Sequence, residues 1–241
     1  MLRGATAILL PGTGSDDDYV RRAFSGPLED LGVELVTPPP DPGRLIEGYL
    51  EALEAAATQS GPILVGGISI GAAVATAWAL RNPERVIGVL AALPAWTGDP
   101  GIAPAAQAAR YSAEQLRRDG LAAVTAQMRA SSPTWLGDEL TRSWAAQWPQ
   151  LPDALEQAAS YVAPTRAELS LLSVPMGVSA AVDDAVHPLH TAAEWAAAVP
   201  RSALITVVLD QIGADPTALG CACVTAFSIA GDGELAPGNG A

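Results

Sequence analysis

The sequence predicts an α/β fold in which a parallel sheet carries helices on both faces and a helical insertion interrupts the alternation. Three observations carry that expectation. Short apolar runs alternate with helical stretches from residue 5 to residue 93. A G-x-S-x-G stands between one such run and the helix that follows it. From residue 94 to about residue 164 no strand pattern occurs, and beyond it strand and helix alternate again.

The first strand is residues 5–10 (ATAILL), which run into Pro11, Gly12, Thr13 and Gly14. Ser15 with Asp16, Asp17 and Asp18 reads as the cap and acidic first turn of a helix through Phe24, continued over 28–31. Residues 33–36 form a second strand, and the proline-rich run 38–42 is a loop. Residues 44–57 are helical, with Leu45, Ile46, Tyr49, Leu50 and Leu53 as the apolar positions. Ile63, Leu64 and Val65 form a buried strand behind Gly61 and Pro62. Residues 72–80, rich in small helix formers, make a helix that stops near Asn82 and Pro83. Residues 85–91 (RVIGVLA) are a fourth strand. This order implies parallel strands with helices on both faces. Roughly four short helices fill the insertion, which holds Trp96, Tyr111, Trp135, Trp144 and Trp148. Strand 174–182, helix 188–199, strand 203–209 and helix 215–229 follow. The expected division is a core of 1–93 with 167–230, a helical cap over 94–166, and a flexible Gly/Pro-rich tail over 231–241.

With 241 residues, 49% of them hydrophobic, the chain can bury one substantial core with an inserted subdomain. Net charge is −13, and no run of arginine or lysine occurs, which argues against nucleic acid or an anionic membrane as partner. No segment approaches 18 unbroken apolar residues, and residues 1–10 are too short and strand-like for a signal peptide. Cys221 and Cys223 lie two apart in a helical stretch and point to different faces, so neither a disulfide framework nor a metal site is expected. The expected location is cytoplasmic, with no cofactor and no metal; the oligomeric state is left open.

Chemistry gathers at GISIG, residues 67–71. Turning a strand straight into a helix strains Ser69 and raises its hydroxyl above the sheet edge, while a Cβ at Gly67 or Gly71 would meet the neighbouring strand or helix. Ser69 is the nucleophile candidate, and a structural serine is the alternative. A serine hydroxyl needs a base, an acid that orients the base, and donors for the developing oxyanion. In a strand–turn–helix layout one donor is the backbone N–H just after the nucleophile, here Ile70. The second would come from the loop after the first strand, and Thr13 is the choice there; a plain tight turn is the other reading of that loop. Two carboxylates, Asp183 and Asp184, end the strand after the insertion, where ligands meet α/β sheets. Asp183 reads as a turn or cap residue. The chain has two histidines, His187 and His190. His190 falls in the first turn of a helix and reads as solvated, whereas His187 is either the base or a loop histidine bonded locally. Trp96 and Trp135 are candidates for an apolar substrate pocket.

These motifs resemble the α/β-hydrolase superfamily, in particular its small cofactor-free esterase, lactonase and haloperoxidase-like members, over about residues 5–229. The resemblance rests on LLPGTGSD as the oxyanion loop, GGISIG as the nucleophile elbow and DDAVHP as a version of the family's D-x-x-x-P acid turn. It implies Ser69 as nucleophile, Asp184 as triad acid, and Thr13 and Ile70 as oxyanion amides. It also implies a trimmed sheet of about six mostly parallel strands. The family's histidine follows the last strand, but here that loop reads LDQIGAD over 209–215 and holds none. Three functions are compatible with this pattern. The first is a serine hydrolase of a small, largely apolar ester, thioester or lactone, with His187 as a relocated base. The second is a cofactor-free cyclase or eliminating enzyme, and the third an inactive ligand-binding homologue.

Overall fold

A computed structural model describes residues 2–232. The elements follow in order: β1 (Thr6–Leu10), α1 (Asp17–Asp30), β2 (Glu34–Val36), α2 (Leu45–Ser60), β3 (Ile63–Ile68), α3 (Ile70–Arg81) and β4 (Val86–Ala92). After these come α4 (Pro104–Ser131), α5 (Thr134–Gln147), α6 (Leu151–Ala159), α7 (Arg166–Leu169), β5 (Met176–Ala181), α8 (Leu189–Ala198), β6 (Ser202–Val207), α9 (Leu209–Ala214) and α10 (Thr217–Asp232). Residues 233–241 of the expected tail lie outside the described residues, and 231–232 close α10.

The six strands form one sheet in the order β2-β1-β3-β4-β5-β6, and every neighbouring pair is parallel. Period-2 alternation of buried side chains builds a core on each face. Ile8, Leu10, Ile63 and Val65 face α2, α3 and α8, with Tyr49, Leu53 and the wholly buried Trp195 packed against them. Ala7, Leu9, Leu64 and Ile68 face α1 and α10, where Phe24, Leu28, Leu219 and Phe227 complete the layer. Leu45, Tyr49, Leu53 and Ala57 recur every fourth residue, so α2 buries a single stripe.

Several local readings are corrected. Asp16, not Ser15, caps α1: its side chain accepts the Tyr19 N–H at 3.0 Å, leaving Asp17 and Asp18 in the first turn. The segment after β6, read as a loop, is the helix α9. Its first amide, Leu209 N–H, donates to Asp183 Oδ1 at 2.9 Å, and Ile212 is buried. Tertiary contacts thus override a Gly- and Asp-containing stretch.

Between β4 and β5 the regular elements are all helices, α4–α7, after an irregular stretch over 93–103. Gly120, at φ 77° and ψ 167°, breaks α4 into two arms. The helices pack on each other through Ala113, Leu116, Val124, Trp144, Leu151 and Leu155. The insertion is tied to the start of α1 by Arg22–Glu139 at 2.7 Å, by Arg142 to Asp16, and by Gln147 Nε2 donating to the Ser15 carbonyl at 2.9 Å. Partly exposed ion pairs of this kind hold geometry more than they stabilise.

Candidate active site

The order of the strands fixes where a site forms. β1 lies between β2 and β3, so the chain leaves β1 to one side and returns on the other, opening a crevice at their carboxyl ends. Ser69 follows β3 and Pro11–Gly14 follows β1 at this point.

Ser69 has φ 55° and ψ −116°, a conformation that residues with a Cβ rarely adopt. Its N–H donates to the Ala92 carbonyl at 2.9 Å, locking the turn onto β4. A Cβ on Gly67 or Gly71 would fall on the carbonyl oxygen of Leu10, so both positions need glycine for the close approach of β1. Ile70 opens α3, and its N–H is among the first-turn amides that no helical carbonyl reaches. Thr13 lines the cavity beside Ser69. The buried Tyr49 hydroxyl donates to the Pro11 carbonyl at 3.1 Å and so pins the Thr13 loop from α2.

The opposite wall is the turn between β5 and α8. Asp184 Oδ1 accepts the N–H of Val186 at 2.7 Å and of His187 at 3.1 Å, folding the turn back on itself. The His187 ring therefore returns over the carboxylate, with Nδ1 2.8 Å from Asp184 Oδ2 and Nε2 3.0 Å from Ser69 Oγ. An ionised carboxylate only accepts, so Nδ1 carries the proton and Nε2 is left to accept from the Ser69 hydroxyl. Burial pushes the Asp184 carboxyl up, but the hydrogen bond and charge of His187, with the two amides, outweigh it and hold the group below the usual carboxylate range. His190 is exposed and lines a neighbouring cleft with Arg166 and Glu194, away from Ser69. Among the described residues no three His, Cys, Asp or Glu side chains gather so as to hold a metal ion.

Above Ser69 lies a cavity of about 320 Å³. Trp96 and Trp135 both line it, as do Leu93, Met128, Leu140 and Leu155, so its walls are largely apolar. Trp144, from the same insertion, lines it too, and so do Tyr19, Leu209 and Ile212, which were not among the pocket candidates. Tyr19 follows the α1 cap by three residues, a place from which a side chain can reach the same crevice. The contribution of α9 had no sequence signal. Trp148 is 39% exposed and is not part of the lining.

A doubly wound parallel sheet with a strained, glycine-bounded serine at its crossover point defines the class of α/β proteins that carry a nucleophile elbow. The chain belongs to the α/β hydrolase family, whose model matches residues 2–218. Solved structures share the fold at low identity. Rv0554 from Mycobacterium tuberculosis is 19% identical with a TM-score of 0.68, over 93% of this chain and 90% of that one. A hydrolase from Pseudomonas aeruginosa PA01 is 22% identical with a TM-score of 0.67, over 92% and 89%. The enol-lactonase from Burkholderia xenovorans LB400 is 18% identical with a TM-score of 0.62, over 86% and 83%. No curated protein matches the chain.

Proposed function

We propose that the protein is a serine hydrolase of small, largely apolar esters, thioesters or lactones. The observation that carries this reading is the continuous chain from Ser69 Oγ through the His187 ring to Asp184. His187 Nε2 takes the hydroxyl proton as Ser69 Oγ attacks the acyl carbon, and the N–H groups of Thr13 and Ile70 hold the oxyanion. His187 then returns the proton to the departing alcohol or thiol, leaving an acyl-serine. Water, deprotonated by the same ring, releases the acid and restores the hydroxyl. Asp184 stays ionised, fixes the tautomer and stabilises the imidazolium. The helices over 94–166 act as a cap that supplies the apolar walls. Hydrolysis is favoured over a non-hydrolytic proton shuttle or a ligand receptor because a base stands within hydrogen-bond reach of the serine. A fluorophosphonate should label the folded protein at Ser69, located by peptide mass. An unlabelled Ser69 in protein that retains its fold would overturn the reading.

A further inference from the structure

The two edges of the sheet are built differently. At one, β2 has three residues, carries Glu34 and leads into prolines at 38–40, so little of it could receive a further strand. At the other, β6 runs for six residues, SALITV over 202–207, with no charge and no proline. Its register with β5 is continuous from Ser202 to Val207, so no bulge turns it aside. Proteins commonly blunt an exposed edge by one of these devices, because its unpaired N–H and C=O groups are a template for another strand. β6 has none of them.

Which groups β6 offers follows from its pairing with β5. Met176 N–H donates to the Arg201 carbonyl at 2.8 Å, and Val182 N–H to the Val207 carbonyl at 3.0 Å. Alternate residues of a parallel strand turn toward the same neighbour. Ala203, Ile205 and Val207 therefore bond to β5, and Ser202, Leu204 and Thr206 turn their N–H and C=O groups outward. No strand among the described residues pairs with that side. Side chains screen it little. No residue of β6 is fully buried, and α8, which packs over β5 and β6, exposes beyond its first turn only Ala193 and Ala197.

We propose that β6 is the seat of a homodimer, in which two copies pair antiparallel along this edge about a twofold axis at Leu204. The outward residues then match themselves. Ser202 meets Thr206 of the second copy, Leu204 meets Leu204, and Thr206 meets Ser202. Each outward N–H finds a carbonyl, since such antiparallel pairs exchange both bonds. Antiparallel order also brings the Arg201 end of each strand to the end of the other that leads to the exposed Asp210, so the two rims are complementary in charge. In a chain of net charge −13 the copies repel over most of their surface, which favours approach along an uncharged strand with opposite signs at its ends. The contact closes on itself, and the joined sheet ends on two blunted β2 strands.

Sedimentation velocity over a dilution series should show a monomer–dimer equilibrium and no larger species. Thr206→Pro removes one outward N–H and no bond to β5, and Leu204→Lys sets like charges opposite each other at the axis. Each should raise the dimer dissociation constant by at least about tenfold in protein that keeps its circular dichroism spectrum. A wild type that stays monomeric throughout, or a dimer that both folded variants retain, would overturn the proposal. A second readout needs no variant. In the dimer the amides of Ser202, Leu204 and Thr206 should exchange with deuterium as slowly as those of Ala203, Ile205 and Val207, and dilution to monomer should speed only the first set. Protection of the first set that is missing in the dimer, or that does not depend on concentration, also overturns it.

Discussion

Three side chains in a row make a chemical unit only if each hydrogen bond depends on the next, and the geometry at Ser69, His187 and Asp184 has that form. Ser69→Ala and His187→Ala should each lower kcat for a p-nitrophenyl ester by about 10³-fold or more, and the double variant by no more than the worse single one. Additive losses would mean that the two residues act separately. Asp184→Asn should lower kcat by about 10³–10⁴-fold, because the amide no longer enforces the tautomer that leaves Nε2 free to accept. The same substitution has a stability signature. A carboxyl held below its ordinary range in the folded state contributes stability above that range and loses the contribution as pH falls through the lowered value. Urea unfolding should therefore show the largest gap between wild type and Asp184→Asn near neutral pH, closing as the pH falls below the ordinary carboxylate range. A gap that widens on acidification would contradict the lowered carboxyl. That Asp184 and His187 share one turn was legible in the sequence. Whether the ring reaches both the carboxylate and Ser69 was not, because that depends on Oδ1 of Asp184 gathering the amides of Val186 and His187.

Among the elements, strands and long helices were legible because periodicity reports burial directly, as in the four-residue stripe of α2. α9 was not, since its first amide is held by the Asp183 side chain, 26 residues earlier in the chain, rather than by a cap of its own. Its presence matters for the site. Leu209 and Ile212 line the cavity in the stretch after the last strand, where the family's usual histidine would be carried. The insertion can be tested by contrasting two of its side chains. Met128, from α4, lines the cavity, and Met128→Ala should make room for about two methylenes. At about 0.8 kcal/mol each, that should raise the kcat/KM ratio of octanoate to butanoate p-nitrophenyl esters about tenfold. Trp148, half-exposed and outside the lining, should leave the ratio unchanged when replaced by alanine. Equal shifts in both variants would show that the preference is set by the stability of the insertion and not by the shape of the cavity.

The parallel sheet concentrates its carboxyl ends on one edge, and Pro11–Gly14, Ser69, Leu93 and Asp184 all arrive there because β1, β3, β4 and β5 are neighbours. The cores on the two faces hold that edge rigid, so strain can be stored at one residue without loosening the rest. Among non-glycine residues, a positive φ occurs only at Ser69 and Leu93 among the described residues, both on this edge. At Ser69 the left-handed backbone should cost about 1–3 kcal/mol for a residue with a Cβ. Ser69→Gly relieves that strain but frees the unfolded chain, at about 0.4–1 kcal/mol. The first effect is larger, so Ser69→Gly should be more stable than Ser69→Ala by about 1 kcal/mol, or about 2–4 °C in Tm for a domain of this size. Both variants lack the Ser69 hydroxyl, so the comparison isolates the backbone from the chemistry. Equal melting temperatures, or a lower one for the glycine variant, would show that the turn is not strained and that the serine is held there for some reason other than its raised hydroxyl.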